Sequence, residues 1–158
     1  MTWRGSTTVQ DRMFAALPYL LPLFYSLPFG GSLFSQFPLL QIIFLPLTPL
    51  IFIERTIPFA GLIIFFVLYL AVVRNERIIH FIRFNTMQAI LLDILLVLCS
   101  FAMSILARGL GENFLMETLS NVIFLGTLAA CGYSMVQSLL GRYAEIPTLS
   151  EAVYAQVR

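Results

Sequence analysis

Lysine is absent from this chain of 158 residues, and only 11% of its side chains are charged. All nine basic residues are arginines scattered along the chain, so there is no basic patch to follow a phosphate backbone, and nucleic acid is excluded as a partner. Histidine occurs once, at His80, and cysteine twice, at Cys99 and Cys131 inside apolar runs. That supply makes neither a zinc motif nor a disulfide framework, so no metal site and no cofactor are expected. A Gly-x-Ser-x-Gly elbow, a Walker loop and a His-Glu-x-x-His helix are all missing. An intramembrane serine protease would need its base within the bilayer, and His80 precedes the apolar run that follows it. The chain reads as a non-enzyme.

What is present is apolar. Hydrophobic residues make up 59% of the chain and the mean hydropathy is +0.92, values that describe an integral membrane protein rather than a soluble domain. The expected fold is all-α and polytopic, with residues 1–158 forming a single membrane domain. Four transmembrane helices are expected, at about 34–53, 58–73, 84–107 and 118–140, after a polar tail over residues 1–11.

From Met13 to Ile53 no side chain is charged, but Pro18, Pro22, Pro28, Pro38, Pro46 and Pro49 interrupt the run, with Gly30 and Gly31 between them. One straight helix cannot cover such a sequence. Met13 to Phe29 is therefore assigned to an interfacial or re-entrant position, and a kinked span is expected to follow Gly31. A signal peptide is the competing reading of the first piece, and proline scattered through its core argues against it. Pro58 opens the second span in a position that a helix tolerates. The fourth span repeats Ser120, Thr127, Ser134 and Gly141 every seven residues, with Cys131 and Ser138 on the same face, where another helix can approach closely. Near the C-terminus, Thr148 and Glu151 stand as a capping box that should start a short terminal helix.

Polarity is concentrated in RNERIIHFIRFNTMQAILLD, from Arg74 to Asp93. Arg77, His80 and Arg83 would share one side of an interfacial helix. Beyond Arg83, residues Asn85, Thr86, Gln88, Asp93, Ser100 and Ser104 fall within an arc of about 160° at helical spacing. Asp93 lies ten residues past Arg83, roughly 15 Å along a helix and about halfway through a hydrocarbon core. A carboxylate there costs about 2.5–3.5 kcal/mol facing lipid, so Asp93 must face protein, water or a proton. Either the arc packs on neighbouring helices or it lines a path for a polar substrate. The candidate path or partner-helix residues are Arg83, Asn85, Gln88, Asp93, Asn121 and Gln137. No second acid is placed at the depth of Asp93, which counts against a carboxylate relay.

Orientation follows from the arginines. With four crossings, seven of the nine lie on the side of both termini, leaving Arg55 and Arg108 opposite. If Met13 to Phe29 were an additional crossing, that asymmetry would vanish. Both termini are therefore expected in the cytoplasm or its organellar equivalent.

Five segments, DRMFAALPYLLPL, IPFAGLIIFF, VVRNERIIHFIRFNTMQAILLDI, ETLSNVIFLG and GRYAEIPTLSEAVYAQVR, resemble the family of the twenty-kilodalton subunit of the translocon at the inner envelope membrane of chloroplasts. The resemblance runs from Asp11 to Arg158. It is most specific over Phe81 to Asp93, where Arg83, Phe84, Asn85, Met87, Gln88, Ala89 and Asp93 stand where the family pattern has them. It implies a four-span protein with both termini toward the stroma and a role in moving preproteins across the plastid inner membrane. Without a transit peptide, the chain looks like a cyanobacterial or plastid-encoded relative, placed in the cyanobacterial plasma membrane or the plastid inner membrane. The partners implied are membrane lipid, other translocon or membrane-protein subunits and a translocating polypeptide, with a homo-oligomer as a further option. A scaffold or assembly factor that conducts nothing is the alternative, and a small-solute channel a weaker one.

Overall fold

The computed structural model describes residues 6–157. Arg4 and Arg158, two of the arginines counted above, lie outside the described residues. Every regular element among those described is helical.

The first helix, α1, runs from Val9 to Gln36 and is long and apolar enough to cross a membrane. The break expected at Gly30 and Gly31, after an interfacial or re-entrant Met13 to Phe29, is absent: the helix continues through both glycines. The chain absorbs its prolines by tightening into 3₁₀ turns at Leu17–Tyr19 and Leu27–Gly30, with Pro18 and Pro28 near their starts, where no N–H is needed. The tail is also shorter than expected. Thr8 Oγ1 accepts from the Asp11 amide at 3.2 Å and Asp11 returns the bond to the Thr8 amide at 2.8 Å, a reciprocal cap that starts the helix.

Residues 34–53, expected as one kinked span, are not one helix. Phe37 leaves helical geometry (φ −128°) because Pro38 follows it and crowds the α conformation. After a short turn at Leu40–Ile43 come α2, Leu45–Thr56, and α3, Ala60–Val73, which meet at a bend of 113°. Pro58 drives that break too: Ile57 is extended, and Phe59 adopts left-handed geometry (φ 58°). The last turn of α3 widens to π geometry over Leu68–Val73. Next come α4, His80–Leu110, and α5, Phe114–Leu139, which together with α1 give three helices able to cross, or four if α2 and α3 form one broken span. A short α6, Leu149–Gln156, closes the fold.

Helices α1 and α5 lie antiparallel. Arg12 at the start of α1 sits where a Cβ on Gly141 would come within 2.8 Å of its Nε, while Ser32 near the other end of α1 donates to Glu117 on α5. The small-residue face of α5 is thereby used within the chain: Thr127, Cys131, Ser134 and Ser138 are all buried. One end of the molecule carries Arg12, Arg74, Arg77, Arg83 and Arg142, and the other the α4–α5 hairpin with Arg108. The rearrangement of the first two spans keeps this partition, because α1 replaces 34–53 as the first long helix.

Two further expectations are corrected. Residues 74–79 are not helical, so Arg77, His80 and Arg83 form no common stripe. Although α6 begins at Leu149, Thr148 has φ 70° and its side chain caps nothing. The helix is held instead by Val153 and Val157, packed with Phe84, Met87 and Ile90 of α4.

Candidate functional site

The polar arc of α4 divides into two halves with different environments. In the first, Asn85, Thr86 and Gln88 have no exposed surface. Tyr19 Oη of α1 donates to Asn85 Oδ1 at 2.8 Å and accepts from Gln88 Nε2 at 2.9 Å. Ser138 Oγ of α5 donates to the same Asn85 oxygen at 3.0 Å, and Gln88 Nε2 also reaches the Ala144 carbonyl at 2.6 Å. Asn85 Nδ2 returns to the Phe81 carbonyl at 2.8 Å. A tyrosine hydroxyl can donate once while accepting, and both capacities are used. One network therefore ties α1, α4, α5 and the segment after α5 in a buried position where these groups have only one another as partners.

Arg83 is buried beside this network, with Nε donating to the Val73 carbonyl at 2.8 Å. That carbonyl belongs to the last turn of α3, where helical partners run out and a cation is electrostatically favoured. His80 lies between Tyr143 Oη at 3.0 Å and the Val157 carbonyl at 3.2 Å, its ring stacked on Tyr154. It joins α4 to the C-terminal segment.

The second half of the arc is open. Asp93 lines a cavity of about 410 Å³ together with Glu54, Tyr25 and Gly61, among apolar neighbours from α3 and α4. Tyr25 Oη donates to Glu54 Oε1 at 2.6 Å, and Asp93 Oδ1 is buried without a hydrogen-bond partner among the described residues. Two acids thus share one cavity at the break between α2 and α3, which corrects the reading of Asp93 as solitary. Glu54 escaped notice because, with Arg55 and Thr56, it reads as a loop between spans; the bend draws that loop inward. Gly61 permits the approach, since a Cβ there would overlap Tyr25 Oη and lie 3.0 Å from Glu54 Oε1. Further along α4, Ser100 and Ser104 face a groove of about 950 Å³ shared with Ser32, Ser35, Glu117 and Ser120 at the hairpin end.

Of the six residues expected at the site, Asn85 and Gln88 meet in the network, Arg83 adjoins it, and Asp93 occupies the separate acidic cavity. Asn121 and Gln137 join neither: both are half-buried on α5, and Asn121 Oδ1 has no hydrogen-bond partner among the described residues. Tyr19 is the network residue that sequence reasoning passed over. Its signal was a phenol in a charge-free apolar run, whose hydroxyl had to find a partner.

The family model described as "Chloroplast import apparatus Tic20-like" matches residues 8–153, from the cap of α1 into α6. The chain belongs to the Tic20 family. A Tic20 family protein of Synechocystis is 53% identical over 150 residues, covering 94% of each chain. Protein TIC 20-II, chloroplastic, of Arabidopsis thaliana is 36% identical over 163 residues, covering 99% of this chain and 78% of the relative. The Tic20 family protein Ycf60 of Gracilaria tenuistipitata var. liui is 37% identical over 160 residues, covering 95% and 76%. The Tic20 family match therefore includes the network, the acidic cavity and the broken α2–α3 element together.

Proposed function

We propose that this protein is a membrane component of a protein-translocation apparatus, working with larger membrane subunits on a polypeptide in transit. Membership of a family described as chloroplast import apparatus is the observation that carries this reading. The molecule adds physical support. A polypeptide crossing a bilayer needs weak, non-specific polar contacts for its backbone. The serine-lined groove at the hairpin end and the Glu54–Asp93 cavity supply such groups along α4, at Asp93, Ser100 and Ser104, with Glu54 of α2 and Ser32 and Ser35 of α1 beside them. The arginine-rich end, with both termini, faces the cytoplasm of a cyanobacterium or the stroma of a plastid. With no nucleotide motif in the chain, energy comes from a partner or a gradient, and no catalytic role is assigned.

A scaffold reading has one observation in its favour: Asn85 and Gln88, expected on the path, are buried and hold helices together through Tyr19, Ser138 and the Ala144 carbonyl. Site-specific photocrosslinking separates the two in membranes holding an arrested translocating polypeptide. Probes at Asp93 and Ser104 should crosslink to that polypeptide, while a probe at lipid-facing Leu95 should not. Crosslinks from Asp93 and Ser104 to membrane subunits alone, with the polypeptide engaged nearby, would establish the scaffold instead.

A further inference from the structure

An open groove of about 700 Å³ runs between α1, α3 and the start of α4, its walls including Phe14, Leu17, Ile64, Val72 and Ile82. Thr86 is the one polar residue lining it, and that side chain is wholly buried in its floor. The groove begins beside the connection between α3 and α4 and extends along α1 from Phe14 to Leu21, roughly 10 Å at helical rise. That is about two thirds of one leaflet's hydrocarbon depth.

The chemistry of these walls selects the occupant. An extended polypeptide would bring backbone N–H and C=O groups into a place that cannot pair them. A helix displaces about 500 Å³ per turn from its diameter and pitch, so the groove holds little more than one turn. A hydrocarbon chain brings no polar group, matches the lining and is long enough to fill the groove from end to end. At the end of the groove beside the α3–α4 connection, Arg74 stands two positions after the lining residue Val72 and Arg77 directly before the lining residue Ile78; both arginines are exposed and neither makes an ion pair among the described residues. Glu76, also exposed, is the acid between them, leaving one net positive charge there. Arg83 and Arg12 are turned elsewhere, toward the Val73 carbonyl and Thr7.

We propose that this groove binds one acyl chain of an anionic membrane lipid, with Arg74 and Arg77 holding the headgroup. Basic residues at the mouth of a crevice between membrane helices are the recognised chemistry for such headgroups. The site is independent of whether the protein translocates anything.

Native mass spectrometry of the full-length, delipidated protein tests it, using phosphatidylglycerol and phosphatidylcholine with identical chains. Phosphatidylglycerol should form a one-to-one adduct about fivefold tighter than phosphatidylcholine, the preference that one net charge at the surface provides. The double variant R74Q/R77Q, altered only at exposed positions, should lose the preference for phosphatidylglycerol or reverse it, because Glu76 then leaves one net negative charge there. Ile82→Trp should fill the groove and weaken both adducts about tenfold; Leu17→Trp, from the facing helix, provides the same block if the first variant does not fold. Equal binding of the two lipids by the unaltered protein would overturn the proposal. So would a retained preference in the arginine variant, unimpaired binding by a folded tryptophan variant, or displacement of the lipid by an apolar helical peptide.

Discussion

Tyr19 and Asn85 stand 66 positions apart in the chain and meet through one hydrogen bond of 2.8 Å, around which three long helices are arranged. The phenol supplies the proton and Gln88 supplies the bond the phenol accepts, so neither amide can be changed without leaving a buried group unpaired.

Gln88→Leu should destabilise the protein by about 1–3 kcal/mol for each polar group it orphans, beginning with the Ala144 carbonyl. Thermal unfolding in detergent and the steady-state level in membranes both report the loss. An unchanged midpoint would show that Gln88 is not part of the framework.

Asp93→Asn removes the ionisable group from the acidic cavity while keeping its shape. A packing role predicts unchanged or higher stability and normal activity. A role in conduction or protonation predicts lost translocation from protein that still inserts at wild-type levels. Failure of the variant to accumulate would mark Asp93 as structural.

Gly61→Ala should break the contact between Tyr25 and Glu54, because the added methyl occupies the position of the tyrosine oxygen. Overpacking of this kind costs about 1–3 kcal/mol. Gly31→Ala, where a Cβ would meet nothing within 4 Å, is the control and should be neutral or slightly stabilising. Equal midpoints for the two variants would contradict the close approach at the bend.

His80→Leu removes both polar links to the C-terminal segment. Amide exchange over Ala152 to Gln156 should quicken, with little change in the middle of α4. Protection equal to the unaltered protein would mean that the packing of Val153, Tyr154 and Val157 holds α6 without His80.

The sequence made the later helices and the inward side of α4 legible. An apolar run without proline has one stable conformation in lipid, and the 3.6-residue period placed Asn85 and Gln88 on the same face as Asp93. It misled over Met13 to Ile53 for a physical reason. Proline weakens a helix but does not say where it ends: Pro18 and Pro28 are absorbed by 3₁₀ turns, whereas Pro38 and Pro58 terminate helices through the residues before them. The acidic cavity was hidden for a related reason. Glu54 acquires its depth from a bend of 113°, which no periodicity within a single helix encodes.

The hydrogen-bond network also imposes an order on biogenesis. Tyr19 leaves the ribosome early, but Ser138 and Ala144 are among the last parts of the chain to be made. Until they arrive, Tyr19 already has both of its partners on α4, but Asn85 and Gln88 each lack one of theirs. Helices α1 and α4 can therefore pair before α5 is made, but the network closes only when synthesis is nearly complete, and a chain truncated before Ala144 should be recognised by membrane quality control as unassembled.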